Sequence, residues 1–159
     1  MSKKVIVLGA GYVGSAIAVD LSGQFQTTSV DIKTGSFNKL KKSGVKTINA
    51  DLSDPDKIAR LISEYDLVIG ALPGCLGYQT LETVIRECKN IVDISFMPED
   101  YFKLDEPARK NNVTAVVDCG VSPGLGNLIL GYHNKRMKID SFKCYVGGLP
   151  LKREWPFQY

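Results

Sequence analysis

Three glycines, Gly9, Gly11 and Gly14, constrain this chain more than any other feature. They stand in G-x-G-x-x-G spacing within "KKVIVLGAGYVGSAIAVDL", after a β-branched run and at the start of a helix-period segment. Two lysines followed by an apolar run ending in Ala16-Ile17-Ala18 also have the outline of a secretory signal. A signal peptide has no use for glycines in this register, and it would not lead straight into a second strand. The spacing instead predicts a strand, a tight turn and a helix whose N-terminus holds a pyrophosphate.

The rest of the chain repeats that alternation. Short β-branched runs read as strands at "KVIVLG", "FQTTSVD", "VKTIN", "DLVIGAL", "NIVDIS" and "VTAVVDCG". Helical segments begin near Gly11, Ser36, Asp54, Tyr78, Glu99 and Pro123, and "MKIDSFKCYVGG" reads as a seventh strand. The strand runs are apolar on both faces, as a sheet covered by helices on both sides requires. The expected fold class is α/β, a doubly wound parallel sheet of the dinucleotide-binding (Rossmann) type.

The site follows from that fold. Gly9 permits the turn, Gly11 lets the backbone approach the pyrophosphate, and Gly14 lets the helix pack on the strand, with Tyr12 and Val13 between them. "SVDIK" ends a second strand in Asp31, 22 positions after Gly9, where a carboxylate accepts from the adenosine ribose hydroxyls, and Ile32 beside it is a further cofactor-binding candidate. Its charge repels a 2′-phosphate and favours NAD; Lys33 beside it leaves NADP open. Asp51 and Leu52, in "INADLSD", are expected on the adenine side, with Asp51 serving either the exocyclic amine or the start of the next helix. Ala71, Leu72 and Pro73, in "GALPG", give a small-residue loop at the switch point. Asp93, Phe96, Cys119 and Ser122 are candidates for the substrate side, and no residue is assigned as general base.

Composition narrows the function classes. Net charge is +3 with the basic residues scattered, which gives no footprint for nucleic acid. Four dispersed cysteines and one histidine form no zinc-ligand spacing, so no metal site is expected, and such cysteines suit a reducing cytosol. The longest uncharged apolar stretch, 5–19, is too short to span a bilayer. His133, in "GYHNKRMK", reads as a helix-end cation rather than a catalytic base.

The third segment is more specific. "VVDCGVSPGLGNLILGY" and "IDSFKCYVGGLPLKREWPFQY" resemble the saccharopine dehydrogenase family, most closely its L-lysine 6-dehydrogenases. With the glycine loop, the resemblance covers essentially the whole chain. It implies an NAD(P)-dependent dehydrogenase oxidising a C–N bond of an amino acid, and hence a small amino-acid substrate and a cytoplasmic enzyme. It further implies a Rossmann domain over 1–150, and at 151–159 a crossover into a catalytic and dimerisation domain that this chain lacks. A homodimer would form through that missing domain. Saccharopine-forming relatives tend to carry an aspartate where Ser122 stands and a tyrosine where Phe96 stands, which favours the lysine 6-dehydrogenase side.

Two other classes are weighed against it. Nucleotide-sensing regulatory modules of potassium transport share the features of the first 70 residues, but they have no need of the Pro-Gly turn or "YVGGLP". A short-chain reductase would need Tyr-x-x-x-Lys, and none of the seven tyrosines has lysine four positions later.

Overall fold

The computed structural model describes residues 2–145. Six parallel strands, β1 (Lys4–Leu8), β2 (Gln26–Asp31), β3 (Lys46–Asn49), β4 (Leu67–Gly70), β5 (Asn90–Asp93) and β6 (Ala115–Val116), form one sheet in the order β3-β2-β1-β4-β5-β6. The order reverses between β1 and β4, which opens a crevice at the carboxyl ends of the strands. Helices α1 (Tyr12–Ser22), α2 (Phe37–Lys42), α3 (Pro55–Ile62), α4 (Gly74–Arg86), α5 (Asp105–Lys110) and α6 (Leu125–Asn134) follow the strands in turn, with a short 3-10 helix at Tyr101–Leu104.

Alternation along each strand separates two cores. Val5, Val7 and Ile69 face Ala18 of α1 and Phe37 and Leu40 of α2. Ile6, Leu8, Val30, Val68 and Ile91 face Ile58 and Ile62 of α3, Leu81, Val84 and Ile85 of α4, and Ala108 of α5. Helices therefore cover both faces of the sheet, which is the doubly wound arrangement expected from the run pattern. α3 starts where the sequence places it. The Asp54 carboxylate accepts from the N–H groups of Asp56 and Lys57, and Pro55 occupies the first helical position.

Four boundaries differ from the sequence reading. α4 begins at Gly74 rather than near Tyr78, because Gly74 and Gly77 carry no Cβ and can press against Phe96, Ser95 and Met97. β6 is only two residues long, since its ladder stops at Val92↔Val116 and Asp118 takes φ +55°. α6 starts at Leu125 rather than Pro123, with Gly124 as its N-cap at φ +134°. Residues 137–145 form no strand, and no other strand among the described residues pairs with them.

The chain divides into two compact units, Met1–Gly120 and Val121–Tyr159, so the sheet belongs entirely to the first. The segment read as a crossover, 151–159, and the end of "YVGGLP" lie outside the described residues. No helix among the described residues is long and apolar enough to cross a membrane.

Candidate dinucleotide site

The glycine loop leaves β1 at the crevice. Gly9 has φ +109°, a conformation that L side chains rarely adopt, and a Cβ there would collide with the Ala71 carbonyl. A Cβ on Gly14 would collide with the Gly9 carbonyl, so α1 can pack this closely only through a glycine. Gly11 differs, because nothing lies within 4 Å of the position its Cβ would take. That space is open enough to admit a ligand's phosphates. The N-terminal turn of α1 carries no capping side chain and no acidic residue, so its dipole faces the crevice uncompensated. Tyr12 and Val13 are exposed on this turn.

Asp31 ends β2 and is tied to the loop it serves. Its Oδ2 accepts the Ala10 N–H at 2.7 Å, and its Oδ1 accepts the Lys33 N–H at 2.8 Å. Each oxygen keeps a further lone pair for a ribose hydroxyl. Ser36 Oγ and Ser15 Oγ both donate to the Ala10 carbonyl at 2.8 Å, which fixes the loop from the other side. Ile32 is exposed beside Asp31.

Asp51 is exposed and closes its own turn, its Oδ1 accepting from the Ser53 N–H at 2.9 Å and the Ser53 Oγ–H at 2.7 Å. The bond from the Ser53 backbone, then that from its hydroxyl, holds the carboxyl below its ordinary pKa. α3 is capped by Asp54, so Asp51 is not the capping acid. Leu52, expected on the adenine side, is buried in the core with Ile58 and Leu81, and its side chain does not face the crevice. Ala71 and Leu72 are half-buried and Pro73 is exposed at the start of α4.

On the β4–β6 side, Asp93 and Cys119 come together, with the Cys119 N–H donating to the Asp93 carbonyl at 3.2 Å. Burial pushes the Cys119 thiol upward in pKa, and the charges of Asp93 and Asp118 add to it. Phe96 is 76% exposed, so it offers an apolar face to solvent at the end of β5. Ser122 lies in the second unit, where Cys144 Sγ stands 4.0 Å from its Oγ.

Two functional candidates escaped the sequence. Tyr101 Oη donates to Asp118 Oδ2 at 2.5 Å, a contact spanning 17 residues that no local pattern announces. That bond, more than burial, raises the Tyr101 pKa. Ser95, which donates its hydroxyl to the Leu72 carbonyl at 3.0 Å, braces the loop after β4 against the loop after β5. The one available signal was positional, since all of these residues follow strand ends.

A parallel sheet in this order, a glycine turn at the foot of an uncapped helix and a strand-end carboxylate beside it define a dinucleotide-binding domain of the Rossmann type. The family model described as "Saccharopine dehydrogenase NADP binding domain" matches residues 5–116, and the chain belongs to that family. It is an NAD(P)-binding domain, and the open approach at Gly11, the uncapped α1 and Asp31 fit that cofactor.

Among curated relatives, saccharopine dehydrogenase [NADP(+), L-glutamate-forming] of Pyricularia oryzae is 27% identical over 94% of this chain and 35% of its own length. The Saccharomyces cerevisiae enzyme of the same name is 26% identical over 97% of this chain and 36% of its own. Mitochondrial alpha-aminoadipic semialdehyde synthase of Rattus norvegicus is 29% identical, with 93% of this chain matching 17% of it. The solved apo saccharopine dehydrogenase (L-Glu forming) from Saccharomyces cerevisiae superposes with a TM-score of 0.74 at 23% identity, over 84% of this chain and 31% of that one, and shows the shared fold. The chain thus spans about a third of the length of the saccharopine dehydrogenases it matches.

Proposed function

We propose that this chain is the cofactor-binding part of an NAD(P)-dependent oxidoreductase that acts on a C–N bond of an amino acid. The observation that carries the reading is the family match over 5–116, which coincides with the glycine loop and its Asp31 tie. The nicotinamide, when bound, supplies the hydride acceptor. The residues of this chain hold it through the α1 N-terminus and Asp31, and Asp93, Phe96 and Cys119 stand toward the substrate; Ser122, in the second unit, is a separate candidate.

Within this reading, NAD is preferred to NADP. The Asp31 carboxylate is held in place by two backbone N–H groups, so it cannot turn away from a 2′-phosphate without abandoning both. Ser122 and Phe96 favour a lysine 6-dehydrogenase over a strict saccharopine enzyme. The remaining activity, and a homodimer contact, belong in this reading to parts of the relatives' length that this chain does not span. Cytoplasmic placement belongs to the same proposal.

Parallel titrations with NADH and NADPH test it. Tighter NADH binding is expected, with no amine-dependent NAD reduction by the 159 residues alone. Equal or tighter NADPH binding would overturn the NAD preference, and turnover of lysine by this chain would overturn the divided active site.

A further inference from the structure

Asp93 stands among the substrate-side candidates and takes no part in holding the pyrophosphate or the ribose. It ends β5 and is 1% exposed. Its Oδ1 accepts the Ser95 N–H at 2.5 Å, while its Oδ2 is buried with no hydrogen-bond partner. The carboxyl lies across Gly70, its register partner on β4, and fits only because that residue is a glycine: a Cβ there would overlap Oδ2. Burial is the main influence raising its pKa; the Ser95 bonds oppose it and the Asp118 charge adds to it.

The titratable groups on the elements around it carry both signs, and the charge that acts on it is that of Asp118. The segment after β6 brings Asp118 and Cys119, and the 3-10 helix brings Tyr101, bonded to Asp118, and Lys103. α4, packed against β5, carries Cys75, Tyr78, Glu82 and Arg86, and β4 offers only the bare Gly70. No ion pair to Asp93 exists among the described residues.

A buried carboxyl without a partner lowers its free energy either by keeping its proton or by gaining a positive charge nearby. The oxidised nicotinamide ring is cationic and the reduced ring is neutral. In a doubly wound dinucleotide fold, the half of the edge made by β4–β6 is the nicotinamide half. We propose that Asp93 is a counter-ion that responds to the cofactor's redox state, ionised when the oxidised nicotinamide occupies this half and protonated when the reduced one does. The inference rests on the cofactor-binding reading above and adds to it a discrimination between NAD+ and NADH. The step is a single proton leaving Asp93 for solvent as NAD+ binds, and no other bond changes.

Linkage fixes the sign. If binding NAD+ releases this proton, its affinity rises with pH, by up to about tenfold per pH unit below the midpoint, and levels off above it. The neutral ring of NADH leaves the proton affinity of Asp93 as it is in the free chain, so NADH affinity stays flat over the same range. The test is calorimetric titration of the chain with NAD+ and with NADH at several pH values between about 5 and 9. The expected result is a rising NAD+ profile that D93N flattens and that D118N, by removing the neighbouring negative charge, moves to lower pH. A flat wild-type NAD+ profile alongside normal NADH binding would overturn the inference and leave the cofactor reading standing. A rise that persists unchanged in D93N would overturn it too. Failure of the folded chain to bind either cofactor would overturn both. The wild-type comparison and D118N do not depend on D93N folding.

Discussion

The two halves of one sheet edge are built on different plans. The β1–β3 half is built of backbone: a glycine turn, the start of α1, and one carboxylate lashed to that turn by the Ala10 and Lys33 N–H groups. The β4–β6 half presents side chains drawn from distant positions, with Asp93 laid over Gly70 and Tyr101 bonded to Asp118. The first is a general anion cradle that many reactions can use. The second is an acidic, desolvated corner, where charge is costly unless a cation arrives. The contrast separates holding a cofactor from responding to it.

The largest expected effect that probes this contrast is in the first half. Gly9→Ala forces a side chain into φ +109° and into the Ala71 carbonyl, and should cost about 3 kcal/mol in chemical denaturation. Cofactor binding should be lost with it. Asp31→Ala should weaken NADH by about tenfold to a hundredfold while sparing NADPH, as read by nicotinamide fluorescence. If both cofactors weaken alike, Asp31 acts through the loop and not through the ribose.

In the second half, Gly70→Ala should expel the Asp93 carboxyl from its place and cost about 2 kcal/mol, with little effect on the adenine end. A smaller effect follows from the raised Asp93 pKa. Below the ordinary carboxylate value of 3.8 both folded and unfolded chains carry its proton, and its contribution to stability is fully present. As pH rises through the folded-state pKa the unfolded chain binds fewer protons, and stability declines. Denaturation curves across that window should show the decline in the wild type and lack it in D93N. The smallest effect is expected from Asp51→Asn, which keeps an oxygen to accept from Ser53. NADH affinity should change no more than about twofold.

The first half was legible in the sequence because its devices are local. A glycine's tolerance of positive φ, an uncapped helix start and a strand-end acid all leave marks within a few residues of one another. Leu52 was the exception: it sits in a ligand-edge segment, yet its side chain turns into the core. The second half was only partly legible. Asp93 and Cys119 could be placed on the edge by counting strands, but the Tyr101–Asp118 pair could not. It depends on a 3-10 helix and on a positive φ at Asp118, neither of which periodicity encodes. The strand expected over 137–148 shows the limit of composition alone. Residues 137–145 have β-like runs but no paired neighbour among the described residues, and a strand exists only where another backbone meets it.

The fit of Asp93 against Gly70 carries an evolutionary consequence. The two positions face each other across adjacent strands and share a volume that admits one side chain. Neither can drift alone: a larger residue at 70 demands a smaller one at 93, and a lineage that lost the acid would be free to fill the glycine. Across descendants of this chain the pair should therefore be inherited as a unit or exchanged as one, so that the history of the acid can be read from its silent neighbour.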